Sequence, residues 1–492
     1  MSIIHKCDKN RKAFLENKKD CRAAAGGEHM EKLQTLVETQ HAFFQTGVTR
    51  TAQFRLSALR RLRRAVTENE GKIEAALQAD FGKPPYETLM CETALLLEEI
   101  DWHLRHVRSW MRPRFVLPSK AQLPGVGRIL PQPRGVALIM SPWNYPVQLC
   151  LMPLVGALSA GCCAVVKPSA YAPASGRVIA ALLGEAFPAH HVAVVEGGRA
   201  ENAALLSLPF DHIFFTGSPS VGRVVMQAAA ETMASVTLEL GGKSPVVIDA
   251  TADLDRAAQR VMFGKVLNAG QTCVAPDYVL IEETQRDAFV EACRRALERF
   301  FPGGRYDELP SIVSEKHYRR KKTLLEGQHA VLGGGWDDAR RFIEPTILVD
   351  VDPASPVMQE EIFAPILPVL TWRRQEEAVA FIRARPKPLA LYLFTNSPRM
   401  KRLMLSSCSF GGGCVNDTIL HLANPRMPFG GVGNSGLGAY HGKASFDAFT
   451  HEASVLESGA YLPGLRCHPY TEKHARLVRR LYGFGRKSRP KS

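Results

Sequence analysis

The 492-residue chain contains no C-x-x-C pair; its eleven cysteines are odd in number and scattered from Cys7 to Cys467. That spacing indicates neither a disulfide framework nor a zinc site, and a reducing, cytoplasmic compartment fits it best. An uninterrupted apolar run is also missing. The longest one, Pro146 to Val166, is broken by Gln148, Pro153, Gly156, Ser159 and Gly161, so it reads as a buried helix and strand rather than a membrane span. The first 25 residues carry Lys and Arg without an apolar stretch, and no secretory signal is expected. Internal repeats and low-complexity tracts are absent as well.

What the chain has in excess is positive charge, and its location matters more than its size. Of the net +14, +8 lies in residues 466–492, where nine Lys/Arg face only Glu472, and +3 lies in residues 1–29. The remaining body is close to neutral, which argues against a nucleic-acid partner. Within the tail, Tyr470 to Phe484 spaces Leu477, Val478 and Leu481 against Arg476, Arg479 and Arg480. This is either a solvated end or a basic amphipathic helix able to make a weak peripheral contact with anionic membrane.

Residues 1–29 are polar and aperiodic and are expected to be a disordered leader, with the folded body opening at Met30. Helical spacing follows over Phe54 to Val66, Ile73 to Ala79 and Glu87 to Trp110; five prolines between 113 and 133 then mark a hairpin or crossover. From Gly135 to Glu239 short apolar runs alternate with helical ones. The strands are Val136–Met140, Cys163–Val166, Val192–Val195, Ile213–Phe215 and Val236–Leu240, which predicts a parallel sheet covered on both faces. A second alternating block follows, with strands at 246–248, 278–281, 343–349, 366–371 and 389–395. Near the end, Met427 to Gly438 is a glycine-rich loop and Tyr440 to Ser458 suits a strand.

Reactive residues fall at the ends of these strands, where α/β sheets bind ligands. Cys273 sits in the loop Gly270-Gln271-Thr272-Cys273, between a helical run ending at Leu267 and the strand at Tyr278; taken alone, a structural thiol is the commoner meaning of such a cysteine. Glu239 closes an apolar strand, where a carboxylate is costly unless solvated, paired or protonated, making it a candidate base with a raised pKa. Asn144 follows another strand end, as an oxyanion donor or a turn-stabilising residue. Lys167 follows a third. Gly217-Ser218-x-x-x-Gly222 opens a helix without the G-x-G-x-x-G fingerprint, so a phosphate site and a simple packing turn are equally compatible with it.

Taken together and in order, PWNYP, KPS, FTGS-x-x-x-G, LELGGKSP, GQTC, EEIFAP and PFGGVGNSGLGAYHG resemble the aldehyde dehydrogenase superfamily over about residues 30–465. GQTCVAPDYVL and GNSGLGAYHGK are most similar to its class 3 branch. The resemblance implies an α/β fold with two doubly wound parallel-sheet domains and a small bridging β element. Residues 30–115 and 133–239 would bind the cofactor, 240–415 would form the catalytic domain, and 116–132 with 416–465 would form a bridging and oligomerisation element carrying an active-site loop. It implies NAD(P)-dependent oxidation of medium- to long-chain aliphatic or aromatic aldehydes by a homodimer, without a metal.

Residue by residue, the resemblance makes Cys273 the nucleophile, Asn144 the oxyanion donor and Glu239 the activator of the hydrolytic water. Lys167 and Glu361 would bind cofactor ribose hydroxyls, Gly217, Ser218 and Gly222 would line the pyrophosphate region with Trp143 at its border, and Phe363 would pack near the nicotinamide. NAD-preferring members typically carry glutamate three residues after the KPS lysine, whereas this chain has Ala170, so use of NADP is expected. A cofactor-free cysteine hydrolase would leave Lys167, the FTGS turn and Glu361 without a task, and a binding protein would need none of the set. Transfer of the acyl group to coenzyme A is disfavoured by Glu239, which would activate water instead.

Overall fold

The alternation from Gly135 to Glu239 is realised as a parallel sheet in the computed structural model, which describes residues 27–459 and 466–484. Its strands are β1 (Val136–Met140), β2 (Cys163–Lys167), β3 (Val192–Val194), β4 (His212–Gly217) and β5 (Ser235–Leu240), in the order β5-β4-β1-β2-β3. A short antiparallel strand, Gly436–Leu437, extends the β5 edge. β1 and β2 are buried at every position, which is why they read as continuous apolar runs rather than alternating ones.

Helices Gly27–Gln45 and Gln148–Ala160 both pack on β1 and β2, so the sheet is covered on both sides. Leu33, Val37 and Phe44 join Val136, Leu138, Val165, Phe215, Leu238 and Leu240 in one apolar cluster. The strand period of two turns Glu239 away from that cluster.

The second block forms a sheet of β6 (Pro245–Ile248), β7 (Tyr278–Glu282), β8 (His329–Leu332), β9 (Thr346–Val349), β10 (Ile366–Trp372), β11 (Ala390–Phe394) and β12 (Gly412–Val415). The order is β8-β9-β10-β7-β6-β11-β12, parallel except for the antiparallel edge strand β8. Of the described residues, Gly27–Val107 and Pro133–Phe449 form one compact unit, which holds both sheets. The second unit, Arg108–Gln132 with 450–459 and 466–484, contains a three-stranded sheet of Arg114–Val116, Val126–Pro133 and Thr450–Glu457 in that order. Its tail helix, Glu472–Leu481, is capped by Thr471 and leaves Leu477, Val478 and Leu481 exposed.

Several expectations are corrected. Helix starts at Gly27, not Met30; residues 1–26 of the expected leader lie outside the described residues. The expected strand at 343–349 is split, because Phe342–Ile343 pairs in a separate ribbon with Trp336–Asp337 and only Thr346–Val349 joins the sheet. Within Tyr440–Ser458 a helix, Lys443–Ala448, precedes the strand; it packs on helix Gln148–Ala160 at Gly156, where a Cβ would meet Ser445 at 3.0 Å. The helical run from Glu87 to Trp110 is interrupted by a π turn at Leu89–Thr93.

Candidate active site

At the C-terminal end of the first sheet the order reverses between β1 and β4, and the loops after β1, β4 and β5 open into one cavity of about 720 Å³. This is the position at which doubly wound sheets take their ligands. Trp143 and Asn144 follow β1, Gly217 ends β4 and Ser218 follows it, and Glu239 lies near the end of β5 directly across from Thr216. Cys273, Glu361 and Phe363 join the lining from the second sheet's loops. Lys167 and Gly222 are not among the lining residues.

Cys273 is placed by an unusual backbone. Helix Leu254–Val266, capped by Asp253, runs into a tight turn at Leu267–Gly270 in which Asn268 and Ala269 both take left-handed φ near +52° and +53°. Gln271 stiffens the loop beyond this turn: its amide donates to the carbonyls of Asn268 (3.0 Å) and Ser311 (3.1 Å), and its Oε1 accepts from the Val313 N–H at 2.9 Å. No signal in the sequence distinguishes Gln271 from its neighbours. Asn144 Nδ2 donates to the Gln271 carbonyl at 3.0 Å, which uses one of the two amide hydrogens and leaves the other for a ligand.

One buried carboxylate, Glu239, and one half-buried one, Glu361, flank the thiol. Neither oxygen of Glu239 has a protein hydrogen-bond partner, and burial holds its pKa well above the usual carboxylate range. Burial likewise pushes Glu361 up to about 8, with Asp277 adding to the shift. Cys273 keeps part of its surface open to the cavity, yet surrounding protein, with Glu361 and Glu239, pushes its thiol up to about 12. The chain without cofactor therefore holds a thiol at Cys273, and the proton must leave locally for the sulfur to attack.

The cavity fits a dinucleotide. Glu361 Oε1 and Thr216 Oγ1, both at the lining, are buried without protein partners, as expected of groups whose hydrogen bonds come from a ligand. Helix Pro219–Thr232 begins at Ser218, whose Oγ caps it by accepting from Val221 N–H, so its N-terminus faces the space. Arg385 and Lys387 also line the cavity, with Lys243 and Arg320, which are paired to Asp277 and Glu360.

The Trp143 ring meets Phe363 edge-on at 5.5 Å and His317 at 5.3 Å. The Glu361 carboxylate lies on the backbone at Gly241, where any Cβ would fall 2.0 Å from Oε2. Lys167 Nζ donates to the Pro168 and Gly197 carbonyls at 2.8 and 2.6 Å. Gly222 packs helix Pro219–Thr232 against β5, its absent Cβ 2.7 Å from Leu240. Ala170 is exposed in the loop after β2. Among the described residues no cluster of His, Cys, Asp or Glu is placed to hold a metal, and no helix is long and apolar enough to cross a membrane.

A thiol, two flanking carboxylates and a dinucleotide-sized cleft at a sheet switch point define a nucleotide-dependent oxidoreductase site. The chain belongs to the aldehyde dehydrogenase family, whose family model matches residues 19–455. It is 46% identical over 433 residues to a 4,4'-diaponeurosporen-aldehyde dehydrogenase of Staphylococcus aureus, covering 86% of this chain and 94% of that protein. It is 42% identical over 429 residues to the rat dimeric NADP-preferring aldehyde dehydrogenase, covering 87% and 95%. Mammalian relatives named as family 3 aldehyde dehydrogenases match at similar identity. Among solved structures, the substrate bound state of Staphylococcus aureus AldH superposes with a TM-score of 0.89 at 43% identity, covering 91% of this chain and 99% of that one. The chain is thus an NAD(P)-dependent aldehyde dehydrogenase with an aldehyde as substrate.

Proposed function

We propose that the enzyme oxidises medium- to long-chain aliphatic or aromatic aldehydes to carboxylic acids through a thiohemiacetal and a thioester on Cys273, with release by water. The observation that carries this reading is the convergence of Cys273, Asn144 and Glu239 on one cavity that also holds Glu361 and Phe363. An aldehyde gives up hydride readily only once its carbon is tetrahedral, and a thiolate makes it so near neutral pH. The free amide hydrogen of Asn144 and the Cys273 backbone N–H would receive the oxyanion; losing one such donor costs about 3 kcal/mol in barrier. NAD(P), when bound, accepts the hydride. Glu239, with no protein partner for its carboxylate, would then deprotonate the water that cleaves the thioester. Absorbance of the reduced cofactor with a panel of aliphatic and aromatic aldehydes tests the substrate class; activity confined to short polar aldehydes would sink it.

The cofactor would lie across Trp143, Gly217 and Ser218, its ribose hydroxyls on Glu361 and Lys167, its nicotinamide against Phe363, with Gly222 setting the height of the pyrophosphate-facing helix. Residues 30–115 and 133–239 serve in this reading as the Rossmann-like cofactor domain, 240–415 as the catalytic domain, and 116–132 with 416–465 as the bridging element of a homodimer. The rat relative's name, dimeric and NADP-preferring, supports both the dimer and NADP use. The exposed Ala170 offers no carboxylate to repel a 2′-phosphate. Accordingly, kcat/KM with NADP should equal or exceed that with NAD, and Ala170→Glu should lower the NADP value by roughly tenfold or more, the scale of one unfavourable close charge contact. A large NAD preference in the unchanged enzyme would contradict this.

The tail helix sets Leu477, Val478 and Leu481 against a basic face of Lys473, Arg476 and Arg480. It would give a cytoplasmic enzyme a weak peripheral hold on anionic membrane. The full-length enzyme should cosediment with vesicles rich in phosphatidylserine, less so in high salt, and deleting residues 466–492 should abolish this; equal cosedimentation after deletion would remove the tail from the account.

A further inference from the structure

Beneath the two loops that carry Asn144 and Cys273 lies a cluster of charges that the proposed chemistry does not use. Helix Glu70–Phe81 ends at Gly82, in the left-handed region at φ +68°, and the turn sends Lys83 inward. Its Nζ is 2.9 Å from Glu92 Oε1, and both side chains are fully buried. Burying such a pair is expensive, and structures that keep one often gain no stability over a well-packed apolar pair. Its contacts show what it does instead. Glu92 Oε2 accepts the backbone N–H groups of Val147 (3.1 Å) and Gln148 (2.9 Å), at the end of the Asn144 loop. Lys83 Nζ reaches the Asn144 carbonyl at 3.4 Å and lies 4.4 Å over the Tyr145 ring.

A second carboxylate, Glu87, accepts the Asn268 N–H at 3.0 Å and so grips the strained turn before Cys273. The two loops are then tied to each other. Asn268 Nδ2 donates to the Asn144 carbonyl at 2.8 Å, and the Tyr145 hydroxyl lies 2.6 Å from Thr272 Oγ1. In a regular α-helix, residues five apart point about 140° away from each other, so Glu87 and Glu92 could not both serve these loops. The π turn at Leu89–Thr93, closed by the Ala94 N–H to the Leu89 carbonyl, takes up the extra residue between them and returns them toward one side.

We infer that Lys83, Glu87 and Glu92, brought together by the π turn, are positioning residues that hold the Asn144 loop in register with the Cys273 loop. This rests on the reading of Asn144 as oxyanion donor. A displacement of about 1 Å in such a site can cost on the order of 10²-fold in rate, so a clamp acting through Asn144 has a large lever although it touches neither substrate nor cofactor.

The test is the rate of the first cofactor reduction after rapid mixing of the full-length enzyme with saturating benzaldehyde and NADP. Asn144→Ala should slow it about 10²-fold and Glu92→Gln about tenfold, with the KM for cofactor changed less than about twofold. In the Asn144→Ala background, Glu92→Gln should have little further effect, because residues that act as one unit are not additive. Lys83→Met/Glu92→Gln, which leaves no unpaired buried charge, serves if the single variant does not fold and should show the same loss and the same non-additivity. A folded variant of either kind at the unchanged rate, or one that multiplies the Asn144→Ala loss, overturns the clamp. Full rate in Asn144→Ala overturns the oxyanion reading itself and the clamp with it; which single variant stays fast tells the two failures apart.

Discussion

Cys273→Ala is expected to lower kcat on the order of 10⁵-fold or more, leaving an enzyme that still binds cofactor. The size follows from the role: losing a nucleophile removes the covalent path altogether rather than weakening one contact within it. Asn144, Glu239 and the cleft remain, but water attacking a free aldehyde yields a hydrate with no thioester to drain. Among the described residues no other cysteine is placed to substitute: Cys91, Cys150, Cys162, Cys163, Cys293 and Cys408 are buried, and Cys414 and Cys467 are absent from the cavity lining. Cofactor reduction and cofactor binding measured on the same preparation check the claim; turnover above a few per cent of the parent would count heavily against it.

The second large effect concerns Glu239. Glu239→Gln should release one equivalent of reduced cofactor per active site in a fast burst, followed by steady turnover slowed about 10²- to 10⁴-fold, the usual worth of a general base. The burst survives because acylation and hydride transfer precede the step that needs the base. A pH signature accompanies it. Burial holds the Glu239 carboxyl in its protonated form above the usual carboxylate range, and a base works only once it has lost its proton. Steady turnover of the unchanged enzyme should therefore rise with pH through that raised pKa wherever deacylation limits it, and the rise should vanish in Glu239→Gln. An unaltered steady rate would mean another base, and Glu361, which lines the same cavity and acts on the same thiol, would be the first to examine.

The strands of the first sheet are readable in the sequence because a parallel sheet buries both faces, so each strand is an apolar run bounded by turn residues. Their ends, and with them Asn144, Lys167, Gly217 and Glu239, are readable for the same reason. β8 and β12 are not: His329–Leu332 is half exposed, and Gly412–Val415 is glycine-rich because Gly413 presses on the Leu391 carbonyl, where a Cβ would lie 2.0 Å away. Neither has a strand-like pattern. The π turn at Leu89–Thr93 is invisible to periodicity because helix flanks it on both sides.

Lys83, Glu87 and Glu92 are lost among ordinary surface charges, since burial of a charged side chain depends on a partner brought from elsewhere in the fold. The same holds for Lys243. It reads as part of a GGKSP motif, yet its Nζ binds Asp277 at 2.6 Å and the Val357 and Glu360 carbonyls at 2.8 Å, stapling the Glu361 loop. Sequence spacing carries the reactive groups; the groups that hold them in place become visible only with the contacts.

The thioester on Cys273 is the claim on which the rest depends, and intact-protein and peptide mass spectrometry of Glu239→Gln, acid-quenched within the burst, tests it most directly. Mixed with benzaldehyde and NADP, the variant should carry one added benzoyl group on the peptide containing Cys273, in amount equal to the cofactor reduced. Stoichiometric reduction with an unmodified Cys273 peptide would contradict it.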